Sequence, residues 1–173
     1  MPVMRSDIDV DHFIRRYVTR RPVSLLKPDL EKNHEELEER LNGKKVLVIG
    51  GAGTIGSFYI KALLKYRLSS LVVVDINENG LTELVRDLRS STGYNIPAEF
   101  ITYPMNFGDR VFEKMFRSMA PFDIVANFAA HKHVQREGYL LNRGDDREQC
   151  AEGTAALRTA VATSAKTFLL CLY

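Results

Sequence analysis

Apolar residues recur along this chain in two alternating rhythms. Val46-Leu47-Val48-Ile49 and Leu71-Val72-Val73-Val74 are unbroken, mostly β-branched runs, which is how strands buried on both faces read. Between and after them the spacing changes to three and four. Ile60, Leu63, Leu64 and Tyr66 predict one helix, and Leu81, Leu84, Val85 and Leu88 predict a second with a core-facing stripe, closed by Ser90-Ser91-Thr92-Gly93. Pro97 to Tyr103 reads as a third strand. Val111, Met115, Phe116 and Met119 mark a third helix, and Phe122-Asp123-Ile124-Val125-Ala126-Asn127 a fourth strand. Strands alternating with helices of this length predict an α/β fold, a doubly wound parallel sheet with right-handed crossovers. In such a sheet ligands sit at the carboxyl ends of the strands.

Residues 1–43 precede this pattern and read as an N-terminal helical arm. Asp7 to Tyr17 predicts a short helix with Ile8, Phe13, Ile14 and Tyr17 on its apolar side, ended by Arg20-Arg21-Pro22. A second helix is expected from Asp29, which can cap it, with Leu30, Leu37 and Leu41 along one stripe and Asn42-Gly43 as the stop. Its other positions are charged, as on a solvated face or an arm packed on the domain or on a second subunit. His12 and His34 have no partners at ligand spacing and read as surface residues.

Chemistry enters where the first strand ends. Lys44-Lys45-Val46-Leu47-Val48-Ile49 runs directly into Gly50-Gly51-Ala52-Gly53-Thr54-Ile55-Gly56 and then into a helical pattern. Gly51, Gly53 and Gly56 fit G-x-G-x-x-G, and Gly50, Gly53 and Gly56 fit the looser spacing of short-chain dehydrogenases. Glycine serves a tight turn, close approach of backbone to a pyrophosphate, and close packing of helix on strand. The helix from Thr54 would aim its free N–H groups and positive dipole end at the phosphates. Asp75 closes the second strand 19 residues after Gly56. An acid there accepts the adenosine ribose hydroxyls and repels a 2′-phosphate, favouring NAD over NADP. The competing role for Asp75 is the N-cap of the helix opened by Ile76-Asn77-Glu78. The fold expectation thereby sharpens to a Rossmann-like sheet.

Two further strand ends carry candidates. Asn106, in Tyr103-Pro104-Met105-Asn106-Phe107-Gly108-Asp109, can hydrogen-bond an adenine edge. After Asn127-Phe128, the small residues Ala129 and Ala130 let a cofactor lie close to the backbone. Lys132 can approach phosphate or substrate, or be an ordinary surface lysine. His131 and His133, at i and i+2 with no third ligand nearby, do not make a metal site.

The chain's 173 residues, 45% of them hydrophobic, suffice for one domain with a real core. A net charge of +2 with mixed signs leaves no nucleic-acid footprint. Cys150 and Cys171 lack metal spacing and suggest a reduced compartment. No apolar run approaches the roughly 18 residues of a membrane span, so a soluble, cytoplasmic protein is expected.

Taken together, Gly50-Gly51-Ala52-Gly53-Thr54-Ile55-Gly56, Val74-Asp75-Ile76-Asn77-Glu78-Asn79, Met105-Asn106-Phe107-Gly108-Asp109 and Asn127-Phe128-Ala129-Ala130-His131-Lys132-His133-Val134 resemble the extended short-chain dehydrogenase/reductase superfamily. Within it they most resemble the polysaccharide-biosynthesis branch, the nucleotide-sugar 4,6-dehydratases and epimerases of the capsular-polysaccharide type. The Ala-Ala-His-Lys-His-Val run is the specific part, and the resemblance covers about residues 44–134, the expected NAD-binding core. It implies a tightly held nicotinamide cofactor that oxidises a UDP-sugar at C4, allows water loss or inversion, and returns the hydride. It also implies that Gly50, Gly53, Thr54, Ile55 and Gly56 hold the pyrophosphate and Asp75 the ribose, with Gly51 and Asn77 as further cofactor-binding candidates. Asn106 would meet the adenine, where many relatives carry Asp. Ala129 and Ala130 would form the cofactor floor, with Lys132 nearby. A homo-oligomer is compatible with this family.

By the same resemblance a catalytic Ser/Thr and a Tyr-x-x-x-Lys pair follow strand five, the tyrosine as acid/base and the lysine lowering its pKa. Here Tyr139 is followed four residues on by Arg143, and Tyr173 is the last residue, so no candidate pair is present. Relatives are expected to continue with Arg-Ser-Glu-Lys-Asp and Ser-Ile-Glu-Ala-Met-Ile-Glu-Asn-Asn-Val. This chain has Gln135-Arg136-Glu137-Gly138-Tyr139-Leu140-Leu141-Asn142-Arg143-Gly144-Asp145-Asp146. Back-translated and read one nucleotide later, Gln135 to Tyr139 allows Ser-Glu-Lys-Asp, and Asn142 to Ala151 allows Ile-Glu-Ala-Met-Ile-Glu-Asn-Asn-Val. Lys166 to Tyr173 allows Lys-Arg-Phe-Phe-Cys-Val-Ser-Thr. The tail, residues 135–173, is therefore expected to be frameshifted from about Gln135, with a divergent tail as the alternative. Translating the coding DNA in all forward frames beyond the Lys132 codon decides between them. Thr167 to Tyr173 is apolar enough to take the strand-five edge regardless. As it stands the chain is expected to bind NAD weakly or not at all and to turn over no sugar. The alternatives are a non-catalytic NAD-binding or regulatory module and an intact oxidoreductase with another acid/base.

Overall fold

The computed structural model describes residues 9–21, 23–129 and, as backbone, 165–170. The chain divides into two compact units, residues 1–39 and 40–173. In the first, α1 (Val10–Phe13) widens into a π-helical turn, Ile14–Val18, and α2 (Lys27–Lys32) is followed by α3 (His34–Leu41), whose last two residues are counted with the second. Phe13 and Tyr17 stack at 5.2 Å on a side that is exposed.

This unit departs from the expected helices. Asp29 is not a cap: α2 begins two residues earlier, behind Leu26, because Pro28 in its first turn is preset for helical φ. Nor do Leu30, Leu37 and Leu41 form one buried stripe. Asn33 breaks the helix, its side-chain amide donating to the Asp29 carbonyl at 2.8 Å, and Leu30 is 51% exposed. His34 pairs with Glu38 at 3.6 Å on the α3 surface.

The second unit is a five-stranded, all-parallel sheet in the order β3-β2-β1-β4-β5. Its strands are β1 (Lys45–Ile49), β2 (Ser70–Asp75), β3 (Glu99–Pro104), β4 (Phe122–Asn127) and β5 (Ala165–Leu170). Helices α4 (Thr54–Leu63), α5 (Glu78–Ser90) and α6 (Arg110–Met119) make the crossovers. Alternation along the strands splits the core. Val46, Val48, Leu71 and Val73 face α4 and α5 through Ile60, Leu63, Leu64, Leu81, Leu84 and Leu88. Leu47, Ile49, Val72 and Val74 face α6 through Phe112, Met115 and Phe116. A two-sided core explains why β1 and β2 read as unbroken apolar runs. The order reverses direction beside β1, between β1 and β4, which is where an open parallel sheet leaves its ligand crevice.

Most core positions match the sequence pattern, with two corrections. Val111 is 61% exposed, because the buried face of α6 is set by Phe112 and Phe116, whose rings lie 6.0 Å apart. The third strand starts at Glu99, two residues after Pro97, which has no N–H to give to a ladder. The apolar tail segment does form an edge strand, with Ala165 opposite Phe122 and Thr167 opposite Ile124. The rest of the frameshift expectation, residues 135–164 and 171–173, lies outside the described residues.

Asp87 accepts a 2.6 Å hydrogen bond from the Lys61 ammonium, and this bond raises the Lys61 pKa above its usual value. The pair's contribution is thus intact below the ordinary lysine range and is lost only as pH rises through the raised value. Ser70 Oγ is buried with no hydrogen-bond partner among the described residues. Ser70→Ala is expected to leave stability unchanged or raise it by up to about 1 kcal/mol, because alanine removes an unsatisfied polar atom. Chemical denaturation checks this, and a loss above about 1 kcal/mol would contradict it.

Candidate functional site

The carboxyl ends of β1, β2 and β4 converge on the glycine turn. Gly50 leaves β1 with φ +75°, a left-handed conformation that glycine adopts without strain. Its N–H donates to the Val74 carbonyl at 2.8 Å, and Phe128 N–H donates to the Ile49 carbonyl at 2.8 Å. The turn is thereby stitched to both neighbouring strands. A Cβ on Gly50 would stand 2.5 Å from Ala129 N, so the chain after β4 lies directly on the turn.

The other glycines differ in what they face. A Cβ on Gly51 would collide with the Val73 side chain, and one on Gly56 with the Gly50 carbonyl and, at 2.8 Å, with Gly51 Cα. Those two positions are closed by the protein itself. Gly53 is not: among the described residues a Cβ there would meet only the Gly50 carbonyl, at 3.4 Å, and its backbone (φ −72°, ψ 165°) suits any residue. Gly53 is exposed and caps α4, whose first backbone bond within reach is Ser57 N–H to the Gly53 carbonyl at 2.9 Å. The N–H groups of Thr54, Ile55 and Gly56 precede that bond and point forward, and the first turn of α4 carries no acid to neutralise its positive end.

Asp75 stands beside this turn. Its Oδ2 accepts from Ala52 N–H at 2.9 Å and its Oδ1 from Asn77 N–H at 2.9 Å. The helix cap is a different residue, since Asn77 Oδ1 accepts from Gly80 N–H at 3.0 Å at the start of α5. Each carboxylate oxygen keeps further lone pairs, so the acid is anchored without being used up. Asn106 is exposed, and its Oδ1 accepts from Gly108 N–H at 3.0 Å. Ala129 N–H donates to Oδ1 of the buried Asn127 at 2.9 Å, and the Phe128 ring packs tilted against Tyr59, centroids 4.9 Å apart. Ala130 and Lys132 lie outside the described residues, as do His131 and His133.

The structure therefore brings Gly50, Gly51, Gly53, Thr54, Ile55, Gly56, Asp75, Asn77 and Ala129 to one end of the sheet. Asn106 follows β3, the strand beyond β2. Ala52 and Asn127 were not singled out from sequence. Ala52 acts through its N–H, which no side-chain pattern reports. A buried asparagine ending an apolar strand was the visible signal for Asn127.

A model of the family described as polysaccharide biosynthesis protein matches residues 46–144. The chain belongs to this family. The match runs past Val134 into the first residues of the tail. The probable polysaccharide biosynthesis protein EpsC of Bacillus subtilis is 31% identical over 117 residues, 66% of this chain and 18% of EpsC. The uncharacterized membrane protein MJ1061 of Methanocaldococcus jannaschii is 33% identical over 100 residues, 58% of this chain and 27% of MJ1061. This member of the polysaccharide biosynthesis family thus matches only a minor part of either relative's length. Among solved structures, Pen from Bacillus thuringiensis superposes with a TM-score of 0.57 at 23% identity, over 75% of this chain and 38% of Pen. WbmG of Bordetella bronchiseptica, solved with NAD and UDP, gives 0.51 at 23% identity, over 76% and 38%. At these identities the likeness is one of fold, and the fold shared is the Rossmann-like sheet. No helix among the described residues is long and apolar enough to cross a membrane.

Proposed function

We propose that residues 44–134 are the NAD-binding half of a nucleotide-sugar 4,6-dehydratase or epimerase of polysaccharide biosynthesis, and that this chain alone turns over no sugar. Residues 1–43 then form an appended arm and 135–173 an atypical tail. The observation that carries the reading is the contrast among the glycines. Gly50, Gly51 and Gly56 are demanded by the protein's own packing, whereas at Gly53 no described residue but Gly50 comes near the space in front of the α4 N-terminus. A cradle that a Cβ would fill, backed by forward-pointing N–H groups, suits a pyrophosphate.

The bonds that hold the glycine turn and Asp75 favour measurable NAD binding by this chain over the absent binding expected from its tail. The N–H groups of Thr54, Ile55 and Gly56 then bind the pyrophosphate, and Asp75 accepts the adenosine ribose hydroxyls. Because two backbone N–H groups hold the Asp75 carboxylate, it cannot swing away from a 2′-phosphate, which favours NAD over NADP. Asn77 lies beside the ribose with its oxygen already used as the α5 cap. Asn106 turns its amide nitrogen to the adenine, Ala129 and Ala130 floor the cofactor, and Lys132 approaches phosphate. The bound dinucleotide supplies a reversible hydride acceptor for a sugar C4. The family assignment and the NAD and UDP held by WbmG support this substrate class. Turnover is not expected because no tyrosine in the chain is followed four residues later by lysine.

Gly53→Ala is the matched test. Its melting temperature should stay within about 3 °C of wild type, since the new Cβ meets only one carbonyl oxygen at ordinary range. Its NAD affinity, read from amide shifts in a titration of the labelled chain, should fall at least about tenfold, or 1.4 kcal/mol. An unchanged affinity in a folded variant would remove the pyrophosphate from this position.

A further inference from the structure

We infer that Gly80, in the first turn of α5, is a positioning residue that sets how closely α5 closes on the glycine turn and thereby holds the turn in its binding geometry. The inference rests on the dinucleotide reading only for its effect on affinity.

Gly80 has ordinary helical backbone, so its φ does not ask for glycine. A Cβ on residue 80 would stand 2.9 Å from Ala52 Cβ and 2.9 Å from Asn77 Nδ2. The Asn77 amide can rotate aside, at the cost of its cap to Gly80 N–H. Ala52 Cβ cannot rotate, because it is fixed on the backbone of the turn. Any push on it moves the Gly51–Ala52 peptide, whose N–H is the group that holds Asp75 Oδ2 at 2.9 Å. Asp75 in turn holds Asn77 N–H at 2.9 Å, which leads back to α5. Ala52, Asp75, Asn77 and Gly80 thus close a ring of contacts joining the turn after β1, the end of β2 and the start of α5. Glycine at 80 is the member that lets the ring close. Gly80 itself touches no ligand in this arrangement.

Helix propensity makes the test sharp, because in a solvent-facing helix glycine to alanine favours folding. If Gly80 matters only to α5, Gly80→Ala should change helix stability alone, the alanine gain set against the lost Asn77 cap, and be silent at the turn. The inference expects the opposite at the turn. In the full chain, hydrogen exchange of the residue-52 amide should speed at least tenfold in Gly80→Ala, while NAD affinity falls about tenfold. In an Ala52→Gly background, where the obstructing Cβ is gone, adding Gly80→Ala should change both quantities less than threefold. A general loss of α5 stability would not be relieved by Ala52→Gly, which adds a second flexible residue.

Unchanged exchange at residue 52 in Gly80→Ala, or an equal effect in both backgrounds, would overturn the role of Gly80. If wild type binds no NAD, the cofactor reading falls, and the exchange measurement still decides whether Gly80 positions the turn.

Discussion

Gly56→Ala is expected to cost about 3 kcal/mol or more of stability, among the largest effects available to a single methyl group in this protein. The added Cβ would be driven into the Gly50 carbonyl and to 2.8 Å from Gly51 Cα, and both are backbone. A side chain in the way can change rotamer, but a buried turn bonded to two strands cannot. Gly50 N–H is held by Val74 and the end of β1 by Phe128, so the strain spreads into the sheet. For a chain of this size the cost corresponds to a fall of about 10 °C in melting temperature. Thermal melts of Gly56→Ala and Gly53→Ala side by side are the comparison to make. The two substitutions add the same atom to the same loop, and only the first should destabilise the fold. A Gly56→Ala variant that melts with wild type would show that helix α4 does not sit against the turn as described.

Asp75→Ala is expected to remove detectable NAD binding, a loss of at least about 100-fold or 2.7 kcal/mol. Two effects add. The variant lacks the ribose acceptor, and the N–H groups of Ala52 and Asn77 lose their partner. Loss of those two bonds should cost about 1 kcal/mol of stability, chiefly at the part-buried Ala52 N–H, because the exposed Asn77 N–H can bond to water instead. Asp75→Asn separates the effects, since an amide keeps the shape and one acceptor but loses the charge. It should stay closer to wild type in stability and should narrow the preference for NAD over NADP, because the charge that repels a 2′-phosphate is gone. NAD affinity within threefold of wild type in Asp75→Ala would take this acid out of the site.

The sheet was legible because its signals are local. β4 matches the run Phe122 to Asn127 at both ends, bounded by Pro121 and by the polar Asn127. Buried stripes at Leu81, Leu84 and Leu88 follow from spacing alone. The arm was less legible because charge dominates its composition. Asn33 and Pro28 redirect α2 through backbone effects that a stripe of leucines does not report. In α6 the buried face runs through Phe112, Met115 and Phe116 with Met119 beside it, a 3-4 spacing that starts at Phe112 and leaves Val111 outside the stripe.

At the site, residue types were legible and their division of labour was not. Asp75 carried two competing readings, ribose acid or helix cap. The cap is Asn77, and Asp75 instead reaches Ala52, 23 positions earlier in the chain. Such a bond depends on β1 and β2 lying side by side, which no window of sequence contains. The same holds for Gly80, whose reason for being glycine is an alanine on another element.

The central claim, that this chain carries a working dinucleotide cradle, is tested most directly by titrating the isotopically labelled full chain with NAD and, separately, with NADP. Saturable amide shifts confined to Gly50–Gly56, Asp75–Asn77 and Ala129, with NADP at least tenfold weaker, are the predicted result. Millimolar NAD producing no shifts at these positions, or NADP binding as well as NAD, would contradict it.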